Sequence, residues 1–211
     1  MNIYTFLSLG YDLLDIIWFS DKGKNPRDVI ENIIPNKECT VLDMCCGTFS
    51  NGLPIAKKNP ENKVIGLDRS KAMLREASAK IKSAGLQNVK LICRDATQTG
   101  LKPQIFDYII IGLVLHECNA DLWQGILSEA RRLLKPDGKL IILEWDKQEK
   151  FSRKLKFSPL YVTETALNRK YFKEFYYSDK SEFFSRYGFK ADEIVKCNYT
   201  AVMTFSRMDL F

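Results

Sequence analysis

The stretch Val41–Gly52, VLDMCCGTFSNG, decides how the rest of the chain is read. It starts inside an apolar strand, TVLDM (Thr40–Met44), and passes the acid Asp43. It then turns through Cys45, Cys46 and Gly47 into a helix over Ser50–Asn59. A strand that turns directly into a helix aims the helix's unpaired backbone N–H groups at the strand's carboxyl end, where a polar ligand group can be met. Gly47 lets the backbone approach such a ligand closely.

The same rhythm continues outward. KVIGLD (Lys63–Asp68) reads as a second strand, and Ser70 caps a helix with Met73, Leu74, Ala77 and Ile81 on one side, stopped at Gly85. Further strands are expected at Val89–Asp95, Phe106–Leu115 and Lys139–Trp145. A helix over Asp121–Leu134 precedes the last of these, ended by the turn Lys135–Gly138. Strands apolar on both faces and separated by helices imply a parallel sheet covered on both sides, a doubly wound α/β fold. After a short helix at Asp179–Tyr187, the runs from Phe189 and Tyr199 follow with no helix between them, so they must pair antiparallel. The first 38 residues read as one or two amphipathic helices over the sheet edge, with Leu13, Leu14, Ile17 and Trp18, then Val29, Ile30, Ile33 and Ile34.

Composition narrows the class. At 211 residues, one domain is expected. No apolar run reaches the roughly 18–20 residues of a membrane-crossing helix. The start lacks the basic region of a signal peptide and carries Asp12 and Asp15, so a cytoplasmic location is expected. Six cysteines form no CxxC pair and read as reduced, buried small hydrophobes. With a single histidine in the chain, a structural zinc site is not expected, and no metal is assigned. The net charge of +6 lies in Lys147–Lys190, with 11 Lys/Arg against 5 Asp/Glu, a segment also rich in aromatic residues. It suits an anionic substrate, a membrane surface or a nucleic acid, or else is a solvated helix pair with its aromatic side buried.

Three acids stand at three successive strand ends: Asp43, Asp68 and Asp95. An acid ending the second strand can accept both hydroxyls of a ribose. Each acid alone also fits a bland role, as a helix cap or turn residue. VLDMCCGTFSNG, GLDRSKAML, CRDAT, FDYIIIGLVLHE and ARRLLKPDGKLIILEW together resemble the class I S-adenosylmethionine-dependent methyltransferases, nearest to the ubiquinone/menaquinone C-methyltransferase-like subgroup of small-molecule enzymes. The resemblance covers about Val41–Trp145. It implies a seven-stranded, mostly parallel sheet with a C-terminal antiparallel hairpin. The division expected is a cap at 1–38, a cofactor-binding core at 39–146, a substrate-cap insertion at 147–178, and a helix with the hairpin at 179–211.

By the same resemblance S-adenosylmethionine is the cofactor and S-adenosylhomocysteine the product. Asp43, Cys45, Gly47 and Thr48 would surround its methionine part. Asp68 would hold the ribose, with Arg69 and Met73 flanking the adenine. Asp95 would accept from the adenine amino group beside Ala96, and Gly112 and Leu113 would wall the sulfonium. The family's D-x-G-x-G-x-G pattern departs twice here, with Cys45 at the first glycine position and Phe49 at the third. Cys45 occurs in the quinone-type subgroup. The Phe49 ring is expected to narrow the loop.

His116 follows the fourth strand, where an imidazole suits either a general base or a structural hydrogen bond at the sheet edge. Tyr161, Tyr171 and Tyr176, with their aromatic neighbours, are expected either to line a substrate pocket closed by Tyr4 and Tyr11 or to pack in the core. The function expected is methyl transfer to a small apolar or amphipathic molecule, a quinone precursor or lipid-like acceptor. A nucleic-acid or protein methyltransferase is the first alternative, although no N/D-P-P-Y/F motif follows the fourth strand. The second is a cofactor-binding module without catalysis. The sequence assigns no oligomeric state. Contact with a membrane surface would run through residues 147–190.

Overall fold

The computed structural model describes residues 25–208, apart from the side chains at 167–169. Helix α1 (Pro26–Ile33) starts at Asn25, whose side chain accepts from the Arg27 N–H. The core then alternates: β1 (Thr40–Met44), α2 (Gly52–Lys58), β2 (Lys63–Asp68), α3 (Lys71–Ser83), β3 (Val89–Cys93) and β4 (Phe106–Gly112). A 3₁₀ turn (Leu115–Glu117), α4 (Ala120–Leu133) and β5 (Leu134–Trp145) follow. The chain ends in α5 (Phe151–Tyr177), α6 (Lys180–Ser185), β6 (Phe189–Lys196) and β7 (Thr200–Arg207). The expected helix at Leu13–Trp18 lies outside the described residues.

The seven strands form one sheet in the order β3-β2-β1-β4-β5-β7-β6. β1 to β5 are mutually parallel, and β7 runs antiparallel to both β5 and β6. Strand neighbours reverse direction in sequence at β1, between β2 and β4, which is the place where open α/β sheets bind ligands outside the strand ends. Alternate residues feed opposite faces. Ile109 and Ile111 pack with Trp123, Leu127 and Phe184 on one side, while Ile110 and Val41 pack with Ile30, Ile55 and Ala77 on the other. Both layers are buried, so neither face of the sheet is left to solvent at its centre.

Beyond shifts of one or two residues at element ends, two boundaries differ from the sequence reading. β4 stops at Gly112, three residues short of the apolar run's end, because Leu113 takes a left-handed φ of 54° and the chain turns out of the sheet. The turn is held by a carboxylate far along the chain. Glu144, at the end of β5, accepts from the N–H groups of Val114 (3.0 Å), Leu115 (2.8 Å) and His116 (3.4 Å). The expected turn at Lys135–Gly138 is instead irregular extended chain, continuous with β5, with Leu134 already paired to Phe106.

The basic, aromatic segment is one 27-residue helix, α5. Pro159 sits inside it and cannot donate to the Leu155 carbonyl one turn back. The Ser158 hydroxyl donates to that carbonyl at 2.8 Å instead, which lets the helix continue.

Candidate cofactor cleft and the buried site beside it

A cleft of about 740 Å³ opens above the carboxyl ends of β1, β2 and β4. Of the residues singled out for cofactor binding, Cys45, Gly47, Thr48, Asp68, Arg69, Met73, Asp95, Ala96, Gly112 and Leu113 all line it. Asp43 does not. It is fully buried under the loop and accepts from the Gly52 N–H at 2.9 Å, capping α2. Burial raises its pKa to about 7, against the Gly52 hydrogen bond and helped by Asp68 nearby.

Asp68 ties the cleft floor together. One carboxylate oxygen accepts from the Gly47 N–H and the other from the Ser70 N–H, both at 2.8 Å. Each carboxylate oxygen has a second lone pair. Asp95, on the opposite wall, spends one oxygen on the Thr97 N–H and hydroxyl, which hold its pKa below the usual range. Its other oxygen accepts no hydrogen bond among the described residues. Thr48 hydrogen-bonds the Lys80 ammonium at 2.9 Å.

Phe49 corrects an expectation. Its ring is fully buried and does not line the cleft. It points down into the layer beneath, where a side chain on Gly52 or Gly66 would collide with it at 2.2 or 2.9 Å. The two glycines make room for the ring, so the ring braces the loop from below instead of narrowing it. The backbone carries the strain: Phe49 and Cys45 both take left-handed φ values, 64° and 60°, which disfavour side chains by roughly 1–2 kcal/mol each. Gly47 shares that conformation, and the space beside its Cα is open cleft. Burial pushes the Cys45 and Cys46 thiols up, so neither is a thiolate at neutral pH.

The cleft fits S-adenosylmethionine on these observations. Asp68 offers acceptors for a diol, Asp95 has an open acceptor for an amino group, and the open side of Gly47 admits the polar chain. Leu113, Val114, Leu122 and Ile126 supply an apolar wall. Sequence reasoning missed Leu122 and Ile126, the inward edge of α4, and Asn51, whose amide stands over Gly112.

His116 lies outside the cleft. It is 4% exposed, its Nδ1 is 2.7 Å from Glu144 Oε2, and its ring meets Trp145 and Phe172 edge-on. Its Nε2 faces Glu164 Oε2 at 3.6 Å and Glu117 Oε1 at 3.9 Å. Burial lowers the imidazole pKa, but the charge and hydrogen bond of Glu144, then Glu164 and Glu117, outweigh it and raise it to about 9. The Glu partners, 28 and 48 positions away, were not visible as partners in the sequence.

The aromatic residues separate. Tyr161 and Tyr176 line a second cavity of about 250 Å³ with Lys147, Lys154, Phe157 and Tyr177. The Tyr176 hydroxyl donates to the Asp146 carbonyl and accepts from the Gln148 N–H. Tyr171 lines neither cavity and packs edge-to-face on Trp123. Tyr4 and Tyr11 lie outside the described residues.

The match to known proteins agrees with this geometry. Residues 35–194 match the model of the methyltransferase domain family, and the chain belongs to that family. Its fold, cleft and sequence place it with the class I S-adenosylmethionine-dependent methyltransferases. It is 36% identical over 145 residues to a demethylmenaquinone methyltransferase of Geobacillus stearothermophilus, covering 68% of this chain and 61% of that one. It is 33% identical over the same length to one from Listeria welshimeri. The match thus spans about three-fifths of these relatives' length. Among solved structures, a SAM-dependent methyltransferase from Aquifex aeolicus superposes with a TM-score of 0.66 at 20% identity, over 94% of this chain and 97% of that one, a likeness of fold.

Proposed function

We propose that this protein transfers a methyl group from S-adenosylmethionine to a small amphipathic acceptor of the quinone-precursor kind. The observation that carries the reading is the pair of carboxylates, Asp68 and Asp95, opening into one cleft across from the free side of Gly47. The names of the similar proteins support the acceptor class. When bound, the cofactor supplies a methyl group already activated by its sulfonium. The chain's share is to bind, orient and exclude water. Asp68 and Asp95 fix the nucleoside end, and the Gly112–Leu113 turn sets the wall beside the methyl. The Glu144 carboxylate locks that turn through three N–H groups and the His116 ring. His116 acts here as a positioning residue, since its ring lies outside the cleft.

The first test is transfer of labelled methyl from S-adenosylmethionine to a dihydroxynaphthalene quinol; no label in the quinol with label in RNA or protein substrates would reverse the acceptor assignment. The second is calorimetry on Asp68→Asn. Losing charge-assisted hydrogen bonds of about 1.5–3 kcal/mol should weaken cofactor binding by about 10- to 100-fold with the fold intact. Unchanged affinity would remove Asp68 from the site.

An amphipathic acceptor suits a protein that works in the cytoplasm beside a membrane, and α5 has a surface for that contact. No helix among the described residues is long and apolar enough to cross a membrane. Phe151, Leu155 and Val162 instead form an exposed outer stripe on α5, flanked by Lys150, Lys154 and Lys156. Exposed apolar side chains between cations suit an anionic lipid surface. Sedimentation with phosphatidylglycerol vesicles should carry the protein down, and Leu155→Asp should leave it in solution; equal sedimentation of both would refute the contact.

A further inference from the structure

We propose that His116, Glu117 and Glu164 form a binding site for one divalent transition-metal ion at the rim of the cofactor cleft. The three side chains come from the 3₁₀ turn and from α5, and one ligand atom of each lies within 4.8 Å of the others. The distances are those of loose ion pairs and leave room for an ion between the groups. A hydrogen bond from His116 Nε2 to a carboxylate would measure about 2.7–2.9 Å. The observed separations are 3.6 Å to Glu164 and 3.9 Å to Glu117. Donors about 2.1 Å from a tetrahedral ion stand ~3.4 Å apart, close to this spacing.

A second observation is independent of that cluster. Glu144 is completely buried at the end of β5, and its carboxylate takes the other imidazole nitrogen, Nδ1, at 2.7 Å. A carboxylate on the far nitrogen of a ligating histidine fixes the ring's orientation and strengthens it as a donor. The ring cannot turn away, because Trp145 and Phe172 hold it edge-on from two sides. Nε2 of a side chain only 4% exposed is thereby aimed at the gap between two carboxylates, one of them 15% exposed. Two carboxylates, Glu144 and Glu164, buried around one imidazole also leave an excess of buried negative charge, which is costly unless paired, while Glu117 is 46% exposed. A divalent cation offsets it, displacing the Nε2 proton and leaving Nδ1–H to donate to Glu144.

One nitrogen and two oxygen donors suit zinc, manganese or iron(II) better than magnesium or calcium, which favour all-oxygen shells. Three protein donors leave a position open, the pattern of a site that accepts a further oxygen ligand. Glu117 also lines the cleft, so the ion would sit on the boundary between cofactor and α5 layer. A single histidine in the chain is enough when two carboxylates complete the set.

The test uses the full chain, stripped with a chelator and titrated with Co²⁺ or Mn²⁺, with visible absorption or electron paramagnetic resonance as readout. One equivalent should bind. Glu164→Gln should weaken it at least ~10-fold, and Glu144→Gln by about 10- to 100-fold, as loss of an outer carboxylate does. Glu149→Gln, an exposed carboxylate elsewhere, should leave binding unchanged. Calorimetry with S-adenosylmethionine on Glu164→Gln should show unaltered cofactor affinity, separating this site from the cleft. No stoichiometric binding by the wild-type chain, or equal binding by Glu164→Gln, would overturn the proposal; it does not depend on the acceptor being a quinol.

Discussion

The two ends of the sheet's carboxyl edge are built on opposite principles. Over β1, β2 and β3, the groups that face the cleft are backbone N–H donors and acids with open lone pairs, set on short local turns. Over β5, the charged groups are buried, bonded to one another and covered by the aromatic face of α5. The first arrangement is made of local turns, tied together by Asp68 reaching the Gly47 N–H from the neighbouring strand. The second brings together His116, Glu144 and Glu164, each on a different element. An open acidic rim is suited to receiving a polar ligand, and a buried charged knot is suited to fixing the shape of the wall beside it.

Substitutions that strike one end only can break this contrast. The largest effect should come from Glu144→Ala, which orphans three N–H groups and leaves His116 without its closest partner. Removing one member of a buried charged pair costs about 3–5 kcal/mol. Chemical denaturation should show it, and a loss below 1 kcal/mol would mean that the turn does not depend on this carboxylate. On the other side, Phe49→Ala empties the space beneath the loop and should cost roughly 3–4 kcal/mol, as for other fully buried rings. A stability change that small substitutions on the surface would match would show the loop holds itself.

Glu129 gives the smallest and most specific effect, remote from both ends. Its carboxylate accepts from Arg132 and from the Thr99 N–H and hydroxyl. These hold its pKa near about 2, the Arg132 hydrogen bond foremost. A depressed folded-state value means the unfolded chain binds more protons, so its contribution is present above pH ~4.3 and is lost as pH falls toward 2. Glu129→Gln should lose about 1–3 kcal/mol at neutral pH and flatten the acid limb of the stability curve. An unchanged acid limb would contradict the assignment.

The half of the molecule that reads out of the sequence is the half made of local signals. Ser70 capping α3, the glycine at 47 and Asp95, which turns on Thr97, each act within a few residues. The sequence reading misplaced what depends on distant partners. β4 seemed to run to Leu115 because its residues are apolar, whereas Glu144 draws the chain off the sheet after Gly112. Helix α5 carries apolar residues on both faces, Phe157 inward and Leu155 outward, so its basic, aromatic stretch does not declare which side is buried. The resemblance puts Asp43 beside the cofactor; the structure turns it inward as a cap, the bland role its position also allows.

The ring of Phe49 has one more implication. Gly52 and Gly66 lie three and seventeen positions away, yet neither can gain a side chain while the ring is present. Positions 49 and 52 therefore form one unit of variation, which Leu91 joins at position 66. Among related chains, a glycine at position 49 should release position 52 to carry alanine or serine, whereas position 66 stays closed by Leu91, 2.7 Å from where its Cβ would lie, and a large residue at 49 should hold both at glycine. The spacing of glycines along this loop would then record which side of the loop its brace comes from.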